Sequence, residues 1–307
     1  MFKKIILPPA LQKGDTIGLT CPAGFLPRDK AKACIKTLQS WGFDVMVGLS
    51  VGRDQGHYFA GSEEERRDEL QAMMDNPQIK AILCGRGGYG TSPLLAGLDF
   101  TAIRRHPKWV VGFSDITALL AALYVQAGMA AIHGPMANAF NDKKAGGKLA
   151  LHSLHQVLLG KKIHYKVPPH PMNKKGQATG RLVGGNLAMV THLVGSPAAW
   201  PMQNAILFLE DIGEHLYKID RMIIQLERAG LLAQIAGLVL GQFSDAEDTT
   251  RPFGKDLASL LAARFQGLDI PICFGFPVGH VSHNLALPTG QQCLLEVRKS
   301  GAILKSL

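Results

Sequence analysis

The chain has 307 residues, of which 47% are hydrophobic and 19% charged, enough apolar material for one large core or two ordinary ones. No apolar run approaches the roughly 18 residues of a membrane span, and the apolar part of "MFKKIILPPALQKGD" is short and broken by Pro8 and Pro9; this excludes a signal peptide and points to a soluble cytoplasmic protein. The net charge is +9, but the pairs Lys143-Lys144, Lys161-Lys162 and Lys174-Lys175 carry no interleaved aromatics, so a solvated basic surface or a small anionic substrate is expected rather than nucleic acid, and no membrane partner is expected.

In chain order, the first half alternates short apolar runs with helical patterns. "TIGLTCPA" reads as a strand, residues 29 to 41 as a helix and "DVMVG" as a strand. "SEEERRDELQAMMDN" reads as a helix opened by a capping box of Ser62 with Glu65. Strand "KAILC", the glycine-rich turn "GRGGYG" and strand "WVVGF" follow, then an amphipathic helix from Ile116, strand "AAIHG" and a helix near 147 to 159. Repeated strand–helix units predict a parallel sheet covered on both faces. Residues 161 to 180, rich in Lys, Pro and Gly, read as a linker. Beyond it come "LVGGNLAMVTHLVGSP", strand "AILFLED", a helix from 216 to 229, strand "IAGLVLGQF", a helix near 255 to 265, and strands "PICFG", "CLLEV" and "AILKS". The expected fold is therefore α/β: a Rossmann-like parallel-sheet domain over 1–160, and a second α/β domain with its own sheet over 181–307. Cys21, Cys34, Cys84, Cys273 and Cys293 form no CxxC pair, and several fall inside these strands, where a free thiol packs as a small apolar group. A reducing compartment fits this pattern; a structural metal does not.

Ligands of open parallel sheets gather at the carboxyl ends of strands, and four such places hold reactive side chains. "GRGGYG" (85–90) satisfies GxGxxG through Gly85, Gly87 and Gly90, with Asp115 loosely where a ribose-binding acid would lie. The same glycines can equally offer bare N–H groups to an oxyanion. Ser114 follows "WVVGF" and precedes a helix, the placement of a nucleophile elbow, although GxSxG is not satisfied and Ser114 or Asp115 would also serve as a plain N-cap. "LFLEDIGE" (207–214) ends a strand on Glu210 and Asp211, with Glu214 beyond, acids that can be catalytic or merely solvated turn residues. "FGFPVGHVSHNLALPTG" (274–290) carries His280 and His283 without the further ligands a metal site needs. A serine, an acid and a histidine at separate strand ends are the parts of a nucleophilic triad, since serine attacks at neutral pH only when an oriented imidazole takes its proton.

Together "GRGGYG", "GFSDIT", "LVGGNLAMVTHLVGSP", "LFLEDIGEHLYKIDRM" and "GFPVGHVSHNLALPTG" make the chain resemble the serine LD-carboxypeptidases of bacterial murein recycling, a family that includes the microcin C immunity peptidases. The resemblance spans nearly the whole chain. It implies a Ser114, His280 and Glu210 triad, with an oxyanion hole from the backbone N–H groups of Asp115 and Gly88. A substrate bearing several carboxylates fits the positive balance and places Arg86 and Gly87 as candidate substrate-binding residues, with Arg86 either a clamp for the terminal carboxylate or a structural surface residue. Glu214 and His283 stand close enough in sequence to exchange with Glu210 and His280. The implied activity is removal of the terminal D-alanine from a cytoplasmic murein tetrapeptide by a homodimer that needs no metal or organic cofactor. The alternatives are hydrolysis of a peptidyl or aminoacyl nucleotide by the same triad, and dinucleotide binding at "GRGGYG".

Overall fold

The computed structural model describes residues 4–307. Met1–Lys3, the start of the stretch read against a signal peptide, lie outside the described residues. The chain divides into two compact units, Met1–Lys161 with Ser282–Gly290, and Lys162–Val281 with Gln291–Leu307.

The first unit is built on β1 (Thr16–Thr20), α1 (Arg28–Ser40), β2 (Asp44–Val47), α2 (Glu63–Asp75), β3 (Ile79–Cys84), the short α3 (Thr91–Leu94) and α4 (Thr101–Arg105), β4 (Trp109–Gly112), α5 (Thr117–Ala122), β5 (Ala131–His133) and α6 (Ala145–Leu158). The capping box forms: Ser62 Oγ accepts from Glu65 N at 3.2 Å, and Ser62 N donates to Glu65 Oε2 at 2.9 Å. Strands β1 and β3 to β5 are buried along nearly their whole length, Lys80 of β3 being exposed, because both faces of a parallel sheet are covered. The helix after Ser114 departs from the amphipathic expectation. Every residue from Thr117 to Ala122 is buried, and the backbone passes from a 3₁₀ turn through α5 into a π turn over Leu123–Ala127. A helix buried on all sides has no polar face to set a 3.6-residue period.

The second unit holds β6 (His164–Val167), β7 (Gly176–Asn186), α7 (Leu187–His192), β8 (Ala205–Ile212), α8 (Leu216–Arg228), β9 (Gly237–Ser244), α9 (Leu257–Phe265), β10 (Ile272–Cys273), then, after β11 (Leu287–Thr289) has returned to the first unit, β12 (Gln292–Arg298) and β13 (Gly301–Ser306). Its sheet runs β10-β9-β8-β7-β12-β13-β6, parallel from β10 to β7 and antiparallel beyond. The first sheet runs β11-β5-β4-β3-β1-β2, with β11 alone antiparallel. Helix α8 buries Leu216, Ile219, Ile223 and Leu226, one stripe of a helical surface, each side chain contributing about 1.5–3 kcal/mol when fully removed from water.

Two boundaries differ from the sequence reading. The expected linker at 161–180 contains β6 and the start of β7; β6 is an edge strand with exposed polar positions, which is why its apolar periodicity is weak. The expected C-terminal domain gives up Ser282–Gly290, whose β11 completes the first sheet. Among the described residues no helix is long and apolar enough to cross a membrane.

Candidate active site

Strand β4 ends at Gly112, Phe113 is extended, and Ser114 then turns to φ 61, one of three non-glycine residues with positive φ among the described residues. A side chain in this region costs of order 1–3 kcal/mol and persists only where surrounding packing enforces it. The packing is visible: a methyl group on Gly112 would lie 2.6 Å from Ile116 Cγ2, so only glycine lets Ile116 fold back over the strand end and close the turn. Ser114 thus stands at the carboxyl end of the sheet at the start of a helical turn, with its hydroxyl half-buried.

The "GRGGYG" loop lies against this turn. A Cβ on Gly87 would come 3.0 Å from Ser114 Cβ and 3.2 Å from Ser114 Oγ, so the glycine backbone borders the hydroxyl directly. Gly88 and Gly90 take φ 107 and 124, values that favour glycine. The loop is held at both ends and in the middle. Gly85 N donates to Thr20 O at 2.7 Å and Gly24 N to Gly87 O at 3.1 Å. Arg66, buried with its guanidinium 4.9 Å from the Phe59 ring centre, donates from Nη1 to Gly90 O at 2.8 Å and to Pro22 O at 2.5 Å. Asp115 is buried and its Oδ2 accepts from Thr91 N at 2.8 Å, which caps α3. This corrects the ribose-acid reading of Asp115: the carboxylate is engaged with backbone. The helix after the loop has only four residues, too short to present a pyrophosphate with the aligned dipole that a dinucleotide fingerprint relies on.

In the second unit Glu210 lies near the carboxyl end of β8, where the register with β9 slips between Leu209 and Asp211. Such an irregularity re-aims a side chain out of the ladder. The Glu210 carboxyl is fully buried, and its Oε2 is 2.8 Å from His280 Nδ1. A carboxylate has no hydrogen to give, so Nδ1 is the donor, and in the neutral imidazole this leaves the basic lone pair on Nε2. Two bare α-carbons permit this contact: a Cβ on Gly279 would meet Glu210 Oε2 at 2.9 Å, and one on Gly241 would meet Glu210 Cβ at 3.2 Å. Ser244 Oγ donates to His280 O at 3.1 Å and steadies the loop. Asp211 turns the other way. Its carboxylate accepts from Asn186 Nδ2 at 2.7 Å, Ala188 N at 2.9 Å and Ile212 N at 2.8 Å, anchoring the start of α7. Burial, helped by the neighbouring Glu210 charge, pushes its pKa up to about 6 against the pull of these donors.

The residues left interchangeable by sequence occupy different surroundings. Glu214 forms an ion pair with Lys218 at 3.5 Å, and His283 belongs to the first unit, where burial lowers its pKa below the ordinary value. Arg86 is exposed, with Nη1 donating to Phe25 O at 3.0 Å. Sequence reasoning passed over Arg66, which stands in the charged run Glu63–Asp68 and reads there as solvated, and over Asn186, whose only signal is its N-cap position before "LAMV". Among the described residues no three His, Cys, Asp or Glu side chains group so as to hold a metal ion.

A family profile described as the LD-carboxypeptidase N-terminal domain matches residues 17–134, and one described as the LD-carboxypeptidase C-terminal domain matches 179–295. A Bacillus subtilis protein named probable murein peptide carboxypeptidase is 33% identical, over 97% of this chain and 94% of its own. A Pseudomonas aeruginosa protein named murein tetrapeptide carboxypeptidase is 32% identical, over 91% of this chain and 92% of its own. Among solved structures, muramoyltetrapeptide carboxypeptidase from Oxalobacter formigenes superposes with a TM-score of 0.86 at 31% identity, covering 95% of this chain and 98% of that one.

Proposed function

We propose, from the premise that this chain belongs to the LD-carboxypeptidase family, that it is a serine peptidase which removes the terminal D-alanine from murein tetrapeptide during peptidoglycan recycling. The observation that carries the reading is the buried Glu210 carboxylate bonded to His280 Nδ1, because it fixes the imidazole as the tautomer a serine nucleophile requires. The strained Ser114 at a strand end, bordered by bare glycine backbone, supports it from the first unit.

In this reading Ser114 Oγ attacks the carbonyl carbon of the L-centre of diaminopimelate as His280 Nε2 takes its proton. The oxyanion so formed accepts from the N–H groups of Asp115 and Gly88, preset donors that need no reorganisation as charge develops. Collapse expels the amine of D-alanine, which receives the proton from His280, and leaves an ester on Ser114. Water, deprotonated by the same imidazole, attacks the ester and releases the tripeptide. Glu210 stabilises the imidazolium in both halves. Arg86 clamps the substrate's terminal carboxylate, as a planar guanidinium does well. The recycling role puts the protein in the cytoplasm, and the family resemblance makes it a homodimer.

Ser114→Ala is expected to lower D-alanine release from a murein tetrapeptide on the order of 10³-fold or more, with the circular dichroism spectrum unchanged. Retention of full activity would exclude the serine mechanism. Supplying an aminoacyl adenylate analogue beside the tetrapeptide decides between the peptide and the nucleotide antibiotic as substrate.

A further inference from the structure

The surroundings of the "GRGGYG" loop hold one polar group that the mechanism above leaves unused. Tyr58 is 52% exposed, yet its hydroxyl is not directed away from the protein: a methyl group on Gly88 would collide with Tyr58 Oη. Among the described residues this hydroxyl has no hydrogen-bond partner. The ring is fixed by an edge-on contact with Phe59 at 5.3 Å between centres, and Phe59 in turn lies under the buried guanidinium of Arg66. The backbone is fixed too. Phe25 N donates to Tyr58 O at 3.0 Å, while Phe25 O accepts from Arg86 Nη1 at 3.0 Å. Tyr58 and Arg86 are therefore attached to the two polar groups of one residue.

Two hydroxyls flank a single peptide unit. Ser114 Oγ borders the α-carbon of Gly87, and Tyr58 Oη borders that of Gly88; consecutive α-carbons lie about 3.8 Å apart. In a substrate the terminal carboxylate carbon lies one residue step beyond the scissile carbonyl, three bonds away. A substrate with its scissile carbonyl at Ser114 and its chain running along the Gly87–Gly88 peptide would bring the group one step further along toward Tyr58. Arg86 keeps Nε and Nη2 for a second contact there, since Phe25 O engages only Nη1.

We propose that Tyr58 is a specificity-determining residue whose phenol O–H, with the Arg86 guanidinium, binds the terminal carboxylate of the residue to be released. The inference rests on the peptidase reading above. It makes the preference for a free C-terminus a property of the first unit, through a rigid aromatic that loses little side-chain freedom on binding.

The test compares two murein tetrapeptides, one ending in D-alanine and one in D-alaninamide, with wild-type protein and Tyr58→Phe. For the free acid, Tyr58→Phe is expected to raise KM about tenfold, the size of one hydrogen bond to a charged group, while kcat moves about twofold or less. For the amide, KM is expected to stay put, so the acid-to-amide ratio of kcat/KM falls about tenfold. Calorimetric titration of the free acid into Ser114→Ala and Ser114→Ala/Tyr58→Phe should give the same tenfold weakening in Kd without turnover. An acid-to-amide ratio or a Kd that is the same with and without the phenol overturns the role of Tyr58 and leaves the peptidase reading standing. No D-alanine release by the wild-type protein overturns the peptidase reading and Tyr58's role with it.

Discussion

Ser114 pays for its position. An L-residue at φ 61 is strained, whereas glycine adopts this conformation freely. The serine hydroxyl is therefore held where a glycine would be more stable, a pattern expected where reactivity rather than stability fixes the residue. Ser114→Gly and Ser114→Ala should be equally inactive, but only glycine relieves the backbone. Urea unfolding should find Ser114→Gly more stable than Ser114→Ala by roughly 1 kcal/mol, after glycine's greater unfolded-state entropy is set against the strain released. A Ser114→Gly variant less stable than Ser114→Ala, by the entropy cost of glycine alone, would mean that the left-handed turn carries no strain. The motif "GFSD" made this residue legible in the sequence, because a small residue before and a helix after a strand end describe a tight turn. Arg66 and Tyr58 were not legible. Their roles depend on loops that meet only in three dimensions, at Pro22, Gly88 and Gly90.

At the level of elements, α2 shows how a buried charge can close a helix. Lys108 is 1% exposed, and its Nζ donates to Met73 O at 3.1 Å and Asn76 O at 2.5 Å, carbonyls at the end of α2 that have no partner within the helix. Burial pushes the Lys108 pKa down to about 8, from 10.5. Between these values the unfolded chain binds more protons than the folded one, so stability linked to this group rises with pH from about 8 to 10.5 and is flat below. Lys108→Met should flatten that rise and, by leaving the Met73 carbonyl unsatisfied while Asn76 O keeps the hydrogen bond from Ile79 N at 3.2 Å, cost about 1–3 kcal/mol at neutral pH; denaturant titrations at several pH values check both. Elements with a strong period and a local start signal, such as α2 with its capping box and α8 with its apolar stripe, were readable within a residue or two. Those that failed are short, polar or proline-bearing: β6 lies exposed at a sheet edge, and β11 is three residues long with Pro288 at its centre. A proline strand survives only at an edge, where its missing N–H is not needed, and β11 is the edge of the first sheet.

Over the whole molecule, the α/β class and the presence of two sheets follow from the alternation of patterns along the chain, but the partition does not. Residues 282–290 belong with the first unit although the second intervenes, and no local composition marks that return because its contacts are made with residues far away in sequence. Ser153 Oγ accepts from Ala286 N at 2.9 Å, Ser282 Oγ donates to Asp142 Oδ2 at 2.5 Å, and β11 pairs with β5. A chain ending at residue 281 would lose β11 from one sheet and β12 and β13 from the other. Limited proteolysis should find both units of such a fragment sensitive where the full chain resists; survival of a protected first unit would show that β11 is dispensable.

The detour of Ser282–Gly290 also sets a timetable for synthesis. A ribosome making this protein exposes residues up to Lys161 early, yet the last strand of their sheet emerges only after Lys162–Val281 of the second unit have been translated. Until then β5 offers an unpaired rim to any passing extended peptide. The nascent polypeptide consequently carries an open sheet edge for longer than a chain of independently closing modules would.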